Sequence, residues 1–201
     1  MSFADYKEAL VGAFYDEQAV LDRFFHTGQS HCFIGGDHDA ESKLKRKVVS
    51  KLIGNFKDKA SISLELHPMQ LVICGSGHLG FSPTPGEKLG QPFDSRKSDI
   101  DIAIVHEPLF ELWWSEIREA DPDAIPKRPT VIENIFNGFI DPQYVNRATE
   151  IGGVWWETFG NIETNRADGV RGRLYKNHWA MQTYHRYAIV AAKAQLEGRV
   201  L

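Results

Sequence analysis

The chain has 201 residues, 42% of them hydrophobic, with 23 Lys and Arg against 27 Asp and Glu and a net charge of −4. That is enough chain to bury a core in one domain. The acidic balance argues against a generic salt-driven nucleic-acid binder. The two cysteines exclude a disulfide framework, and no apolar run reaches the ~20 residues that span a bilayer.

In chain order, residues 3–26 are expected to form one amphipathic helix, with Tyr6, Leu10, Ala13 and Phe14 on one side and Leu21, Phe24 and Phe25 continuing it. No apolar signal-peptide core precedes it, so a cytoplasmic protein is expected. Residues 27–39 read as a polar, Gly-rich loop. A second helix over 40–57 buries Leu44, Val48, Leu52, Ile53 and Phe56, with Asp39 as its cap. A short strand is expected between Ser61 and Leu66, broken by Pro68. Gln70–Cys74 is a short apolar strand running into Gly75-Ser76-Gly77.

Residues 81–97 hold three prolines and two glycines and read as a long loop, functional or mobile. Asp99–Val105 is a second strand. A helix follows from Pro108 to about Ala120, then a turn-rich break over Asp121–Pro129. Thr130–Phe139 and Tyr144–Phe159 read as helices, the second weakened by Gly152-Gly153. Val170–Tyr175 is a candidate third strand, and residues 177–197 form a last helix. The expected architecture is mixed α/β: a small mixed sheet with flanking helices in a single domain over 1–201. Residues 1–39 form a helical extension, and 40–201 hold the core and the C-terminal helices.

The informative stretch is Ser98-Asp-Ile-Asp-Ile-Ala-Ile-Val105. Asp is a poor strand residue, yet Asp99 and Asp101 alternate with Ile100 and Ile102. Side chains at i and i+2 of a strand share a face. Two adjacent carboxylates repel unless a cation lies between them or one is protonated. A hard divalent ion such as Mg²⁺ is held by one or two carboxylates together with substrate phosphates. The earlier strand ends at Gly75 and Ser76, where a bare backbone and a hydroxyl suit an oxyanion. The plain alternatives are edge charges that blunt aggregation for the Asp pair and a simple turn for Gly75-Ser-Gly77.

This arrangement resembles the DNA polymerase β-like nucleotidyltransferase superfamily. The shared pattern is an apolar strand ending in Gly-Ser, here Leu71–Ser76, followed by a strand opening with Asp-x-Asp, here Ser98–Val105. The likeness covers roughly residues 40–110. It implies a metal-dependent transfer of a nucleoside monophosphate from an NTP or dNTP to a hydroxyl of an RNA, a protein or a nucleotide. Asp99 and Asp101 would carry Mg²⁺ or Mn²⁺. Gly75, Ser76 and Ser98 would hold the nucleotide. Arg171 and Arg173, on one face of their strand, read equally as a phosphate clamp or as surface charges paired with Asp or Glu. A setting in toxin–antitoxin pairs or antiviral defence, with a partner protein encoded nearby, is implied by the resemblance alone.

Two departures stand out. Ser76 and Asp99 are 23 positions apart, longer than is usual in the superfamily, which makes 81–97 an insertion. Active members also carry a third carboxylate on a later strand, where this chain offers Arg171 and Arg173. Asp168, Glu163 and Glu157 lie nearby in sequence and none is assigned, so a degenerate fold that binds nucleotide or a partner protein stands as the alternative.

The remaining candidates have plainer readings. His31, Cys32, Asp37 and His38 match no common zinc spacing. Cys74 is a core residue. Trp113-Trp114 and Trp155-Trp156 are packing residues, and the basic runs 43–47 and 166–176 are solvated faces.

Overall fold

The computed structural model describes residues 2–26, 28–34, 39–60, 62–145 and 148–199. Asp37 and His38 lie outside the described residues. The fold is mixed α/β, a small sheet with helices packed around it, as its sequence pattern predicts.

The N-terminal segment is two helices rather than one. Helix α1 (Phe3–Val11) opens on a capping box between Ser2 and Asp5 and ends at Gly12, whose backbone is extended. Asp16 then caps α2 (Glu17–Leu21) by accepting from Ala19 N–H, and a wider helical turn follows over Asp22–His26. A poor helix former next to a good cap explains the break.

Helix α3 (Ala40–Asn55) runs into a similar wide turn over Phe56–Ala60. Asp39 stands at its start but makes no capping hydrogen bond. Its carboxylate pairs with Arg46 instead. Residues 62–67 do not form the expected strand. They join no ladder, and the Glu65 carbonyl is hydrogen-bonded to the His106 ring at 2.6 Å.

The sheet comprises β1 (Leu71–Cys74), β2 (Asp99–Val105), β3 (Phe139–Ile140) and β4 (Gly169–Tyr175), in the order β1-β2-β4-β3. β1 runs antiparallel to β2, β4 runs parallel to β2, and β3 runs antiparallel to β4. Between β1 and β2 lie the one-turn helix α4 (Gly75–Leu79) and the 81–97 segment. The crossover from β2 to β4 carries α5 (Glu107–Glu119), α6 (Arg128–Phe136), β3 and α7 (Glu150–Gly160). Helix α8 (His178–Leu196) follows β4, capped by Asn177.

Alternation along β2 divides the core. Ile100, Ile102 and Ile104 face one side, in a cluster with Leu44, Val48 and Leu52 of α3, Trp113 of α5 and Trp155 of α7. Trp113 and Trp155 are buried, their rings 5.2 Å apart. Ala103 and Val105 face the other side, against Phe139, Tyr175 and Met181 of α8. Tyr6, Leu10, Leu21 and Phe24 form a third cluster with Phe81 and with Ile189 of α8.

Helix α7 begins at Glu150, later than its hydropathy suggests, because Thr149 caps it through Gly152 N–H. It passes through Gly152-Gly153 unbroken, since burial of Ile151, Val154 and Trp155 outweighs the glycine propensity cost. Phe139–Ile140, expected at a helix end, is a two-residue strand defined only by its pairing with β4.

The 81–97 segment is a pinned lobe. Phe81 bridges Pro92, Ser82 N–H donates to the Gln91 carbonyl, and Gly90 N–H donates to the Ser82 carbonyl. The Gln195 amide of α8 is hydrogen-bonded to both the N–H and the carbonyl of Gly86.

Candidate functional site

Strand register brings the residues together. Cys74 lies across from Asp101, so β1 ends beside the second aspartate and Gly75 begins there. Gly75 has φ +64°, a backbone conformation suited to glycine. A Cβ at this position would lie 2.6 Å from Asp101 Oδ2, so a larger residue would push the carboxylate aside. At the mouth of β2, Asp99 lies across from Gly169, where a Cβ would stand 3.0 Å from Asp99 Oδ1. Each carboxylate thus rests over a glycine.

Asp99, Asp101, Arg171 and Arg173 share one face, because β2 and β4 run parallel with Asp101 across from Arg171 and Ala103 across from Arg173. Asp99 Oδ2 accepts a salt bridge from Arg171 Nε at 2.7 Å, with the Arg171 side chain 72% exposed. Arg173 turns the other way. Its Nη2 donates to Asp141 Oδ2 at 2.8 Å, and its guanidinium lies 4.7 Å from the ring centroid of Tyr184 and 5.8 Å from that of Phe139. Its Nε is buried without a hydrogen-bond partner. A buried, charged, unsatisfied donor is costly and suits an anionic oxygen.

Asp101 makes no hydrogen bond or ion pair through its side chain among the described residues. Burial pushes its carboxyl up to about 6, with Arg173 opposing the shift and Asp99 adding to it. A perturbed carboxylate with no side-chain hydrogen bond among the described residues, beside a second carboxylate and a guanidinium that keeps one unpaired N–H, is a candidate for function.

The other expected residues play lesser parts. Ser76 follows Gly75 in α4, and its hydroxyl makes no hydrogen bond among the described residues. The Ser98 hydroxyl accepts from Asp94 N–H at 3.3 Å, and its carbonyl accepts from Asp168 N–H at 3.0 Å. Ser98 therefore ties the entrances of β2 and β4 together. Asp168 is exposed and precedes the shared face by one residue of alternation. Glu157 pairs with Lys59, and the carbonyl of exposed Glu163 accepts from Lys47. None of the three acids pairs with the arginines of the aspartates' face.

Asp141 is the acid that sequence reading misses. Read linearly, Asp141-Pro142 is a turn. Only the pairing of β3 with β4 sets it beside Arg173. Among the described residues no group of three or more His, Cys, Asp or Glu side chains is arranged to hold a metal ion. The donor set that does exist, two carboxylates on one strand face, suits Mg²⁺ held in part by substrate phosphates rather than by an all-protein cage.

Cys74 is buried, donates to the Asp101 carbonyl at 3.6 Å, and has its thiol pushed up to about 12 by burial. It is packing, not a nucleophile. In the 43–47 run, Lys45 and Arg46 pair with Glu41 and Asp39. Among the described residues, no helix is long and apolar enough to cross a membrane.

A scan against protein-family models finds no match, and no curated protein and no solved structure matches the chain.

Proposed function

We propose that the face carrying Asp99 and Asp101 binds a nucleoside triphosphate with Mg²⁺ and transfers its nucleoside monophosphate to a hydroxyl acceptor. The observation that carries this reading is Asp101: a carboxylate with no side-chain hydrogen bond or ion pair among the described residues, seated against Gly75, two residues along the strand from Asp99. Asp99 and Asp101 would hold the ion. Gly75 would let a phosphate approach the backbone. Arg173 Nε, buried and unpaired, would donate to a phosphate oxygen. The bound ion would neutralise charge on the transferring group, and the chain's own residues would orient it.

Transfer requires the acceptor hydroxyl to attack the α-phosphorus. A P–O bond forms as the bond to pyrophosphate breaks, and the hydroxyl proton passes to a base. With Asp99 and Asp101 holding the ion, that proton would pass to solvent water, and Arg171, an exposed partner, would leave Asp99 at little cost.

A second reading, nucleotide or partner binding without transfer, is favoured by Arg171. It stands directly across from Asp101 on β4, where members of the resembled superfamily carry their third carboxylate. Incubation with each α-³²P-labelled NTP and dNTP, with Mg²⁺ or Mn²⁺ and with or without RNA, separates the two. Label on RNA, on protein or in a new oligonucleotide, absent with Asp99→Ala/Asp101→Ala, supports transfer. Nucleotide binding without any transfer supports the second reading.

A further inference from the structure

Beside Arg173, the fold leaves a cavity of about 340 Å³ lined mostly by apolar surface. Phe139 and Tyr184 form its inner wall, with ring centroids 5.0 Å apart in an edge-on arrangement. Tyr187, 64% exposed, stands at its rim. Pro85 of the 81–97 lobe closes another side, and the lobe is held there by the Gly86–Gln195 hydrogen bonds. Besides the two tyrosines, three polar side chains reach this surface, Thr84, Asn137 and Thr183, and none of the three makes a side-chain hydrogen bond among the described residues.

An apolar cavity of ~300–1,000 Å³ with a few convergent polar groups is the usual form of a small-molecule site. Aromatic walls suit a flat, polarisable ring. The same Arg173 that shares a strand face with the aspartates, and keeps an unpaired donor, lies over Tyr184 and Phe139. Arg173 does not line the cavity itself but packs on two of the rings that do, Phe139 and Tyr184.

We infer that this cavity receives the base of the nucleotide, and that adenine is the base it fits. The inference rests on the proposed nucleotide site and extends it. The Asn137 amide presents a donor and an acceptor side by side, which matches the adjacent acceptor and amino donor on the adenine edge. Thr183 adds a hydroxyl that serves as donor or acceptor. The 81–97 insertion, through Thr84 and Pro85, closes one side of the cavity, while the groups that read the base lie on other elements.

The test is equilibrium binding of ATP, UTP, adenosine and inorganic tripolyphosphate to the full chain with Mg²⁺. ATP should bind at least ten-fold more tightly than UTP or tripolyphosphate. Tyr187→Ala and Asn137→Ala should bring ATP to the level of tripolyphosphate and leave tripolyphosphate itself unchanged. Tyr187 is exposed, so its removal spares the core. Thr183→Leu, which fills the cavity, should act the same way. Equal affinity for ATP, UTP and tripolyphosphate would overturn the base site, as would unchanged ATP binding in Tyr187→Ala and Asn137→Ala. Adenosine binding lost in Asn137→Ala, with no tripolyphosphate binding, would keep the cavity and refute the phosphate site. Binding of none of the four would refute both.

Discussion

Replacing Asp101 by asparagine should make the metal-free protein more stable while abolishing the divalent-ion binding proposed for this face. Burial moves the Asp101 carboxyl from its ordinary 3.8 to about 6 in the folded chain. The folded state thus binds this proton more tightly than the unfolded state. Stability from this group is fully present below about pH 4 and is lost as pH rises through 6. At about 1.36 kcal/mol per pH unit, the ionised carboxylate costs the folded state about 3 kcal/mol at pH 8 and about 1 kcal/mol at pH 4.5. Asparagine keeps the shape and carries no charge. Urea denaturation in EDTA should place Asp101→Asn above the parent by up to about 3 kcal/mol at pH 8, shrinking to about 1 kcal/mol at pH 4.5. A gap of equal size at both pH values would refute the burial argument, and so would a variant less stable than the parent at pH 8.

Other substitutions test the surroundings. Gly75→Ala should cost about 1–2 kcal/mol from the left-handed backbone alone, and its collision with Asp101 should also lower Mg²⁺ affinity, read by thermal denaturation and Mg²⁺ titration. Arg173→Met leaves Asp141, 13% exposed, without its cation. It should destabilise by about 2–3 kcal/mol, a loss partly recovered by adding Asp141→Asn. Arg171→Ala removes an exposed partner and should change stability by no more than about 0.5 kcal/mol, while divalent affinity at Asp99 rises. Burial pushes Cys32 and Cys74 up to about 12, so both thiols should resist an aromatic disulfide reagent at pH 8 until urea unfolds the chain.

Much of the sheet was legible because its signals are local. Strict alternation in Asp99–Val105 and the turn residues after Cys74 mark β2 and the end of β1 without outside help. Val170–Tyr175 is readable as a strand because Arg171 and Arg173 alternate with Val170 and Leu174, which keep the apolar side. What was hidden depends on pairing at long range. Phe139–Ile140 is a strand only through its ladder with Leu174 and Tyr175. Asp141 is part of the site only because that ladder exists. The break between α1 and α2 was obscured by apolar periodicity that continues across Gly12. The 81–97 segment looked like an open loop, and its order comes from Gln195 and from packing of Phe81 with Phe3 and Tyr6, contacts a linear reading does not display.

The central claim is that Asp99 and Asp101 carry metal-dependent nucleotidyl transfer. It is tested most directly by following pyrophosphate release from each NTP and dNTP with RNA, protein and nucleotide acceptors supplied. The account predicts release that requires Mg²⁺ or Mn²⁺ and vanishes with Asp99→Asn/Asp101→Asn. No release from any nucleotide, or release that survives in the double variant, would contradict it.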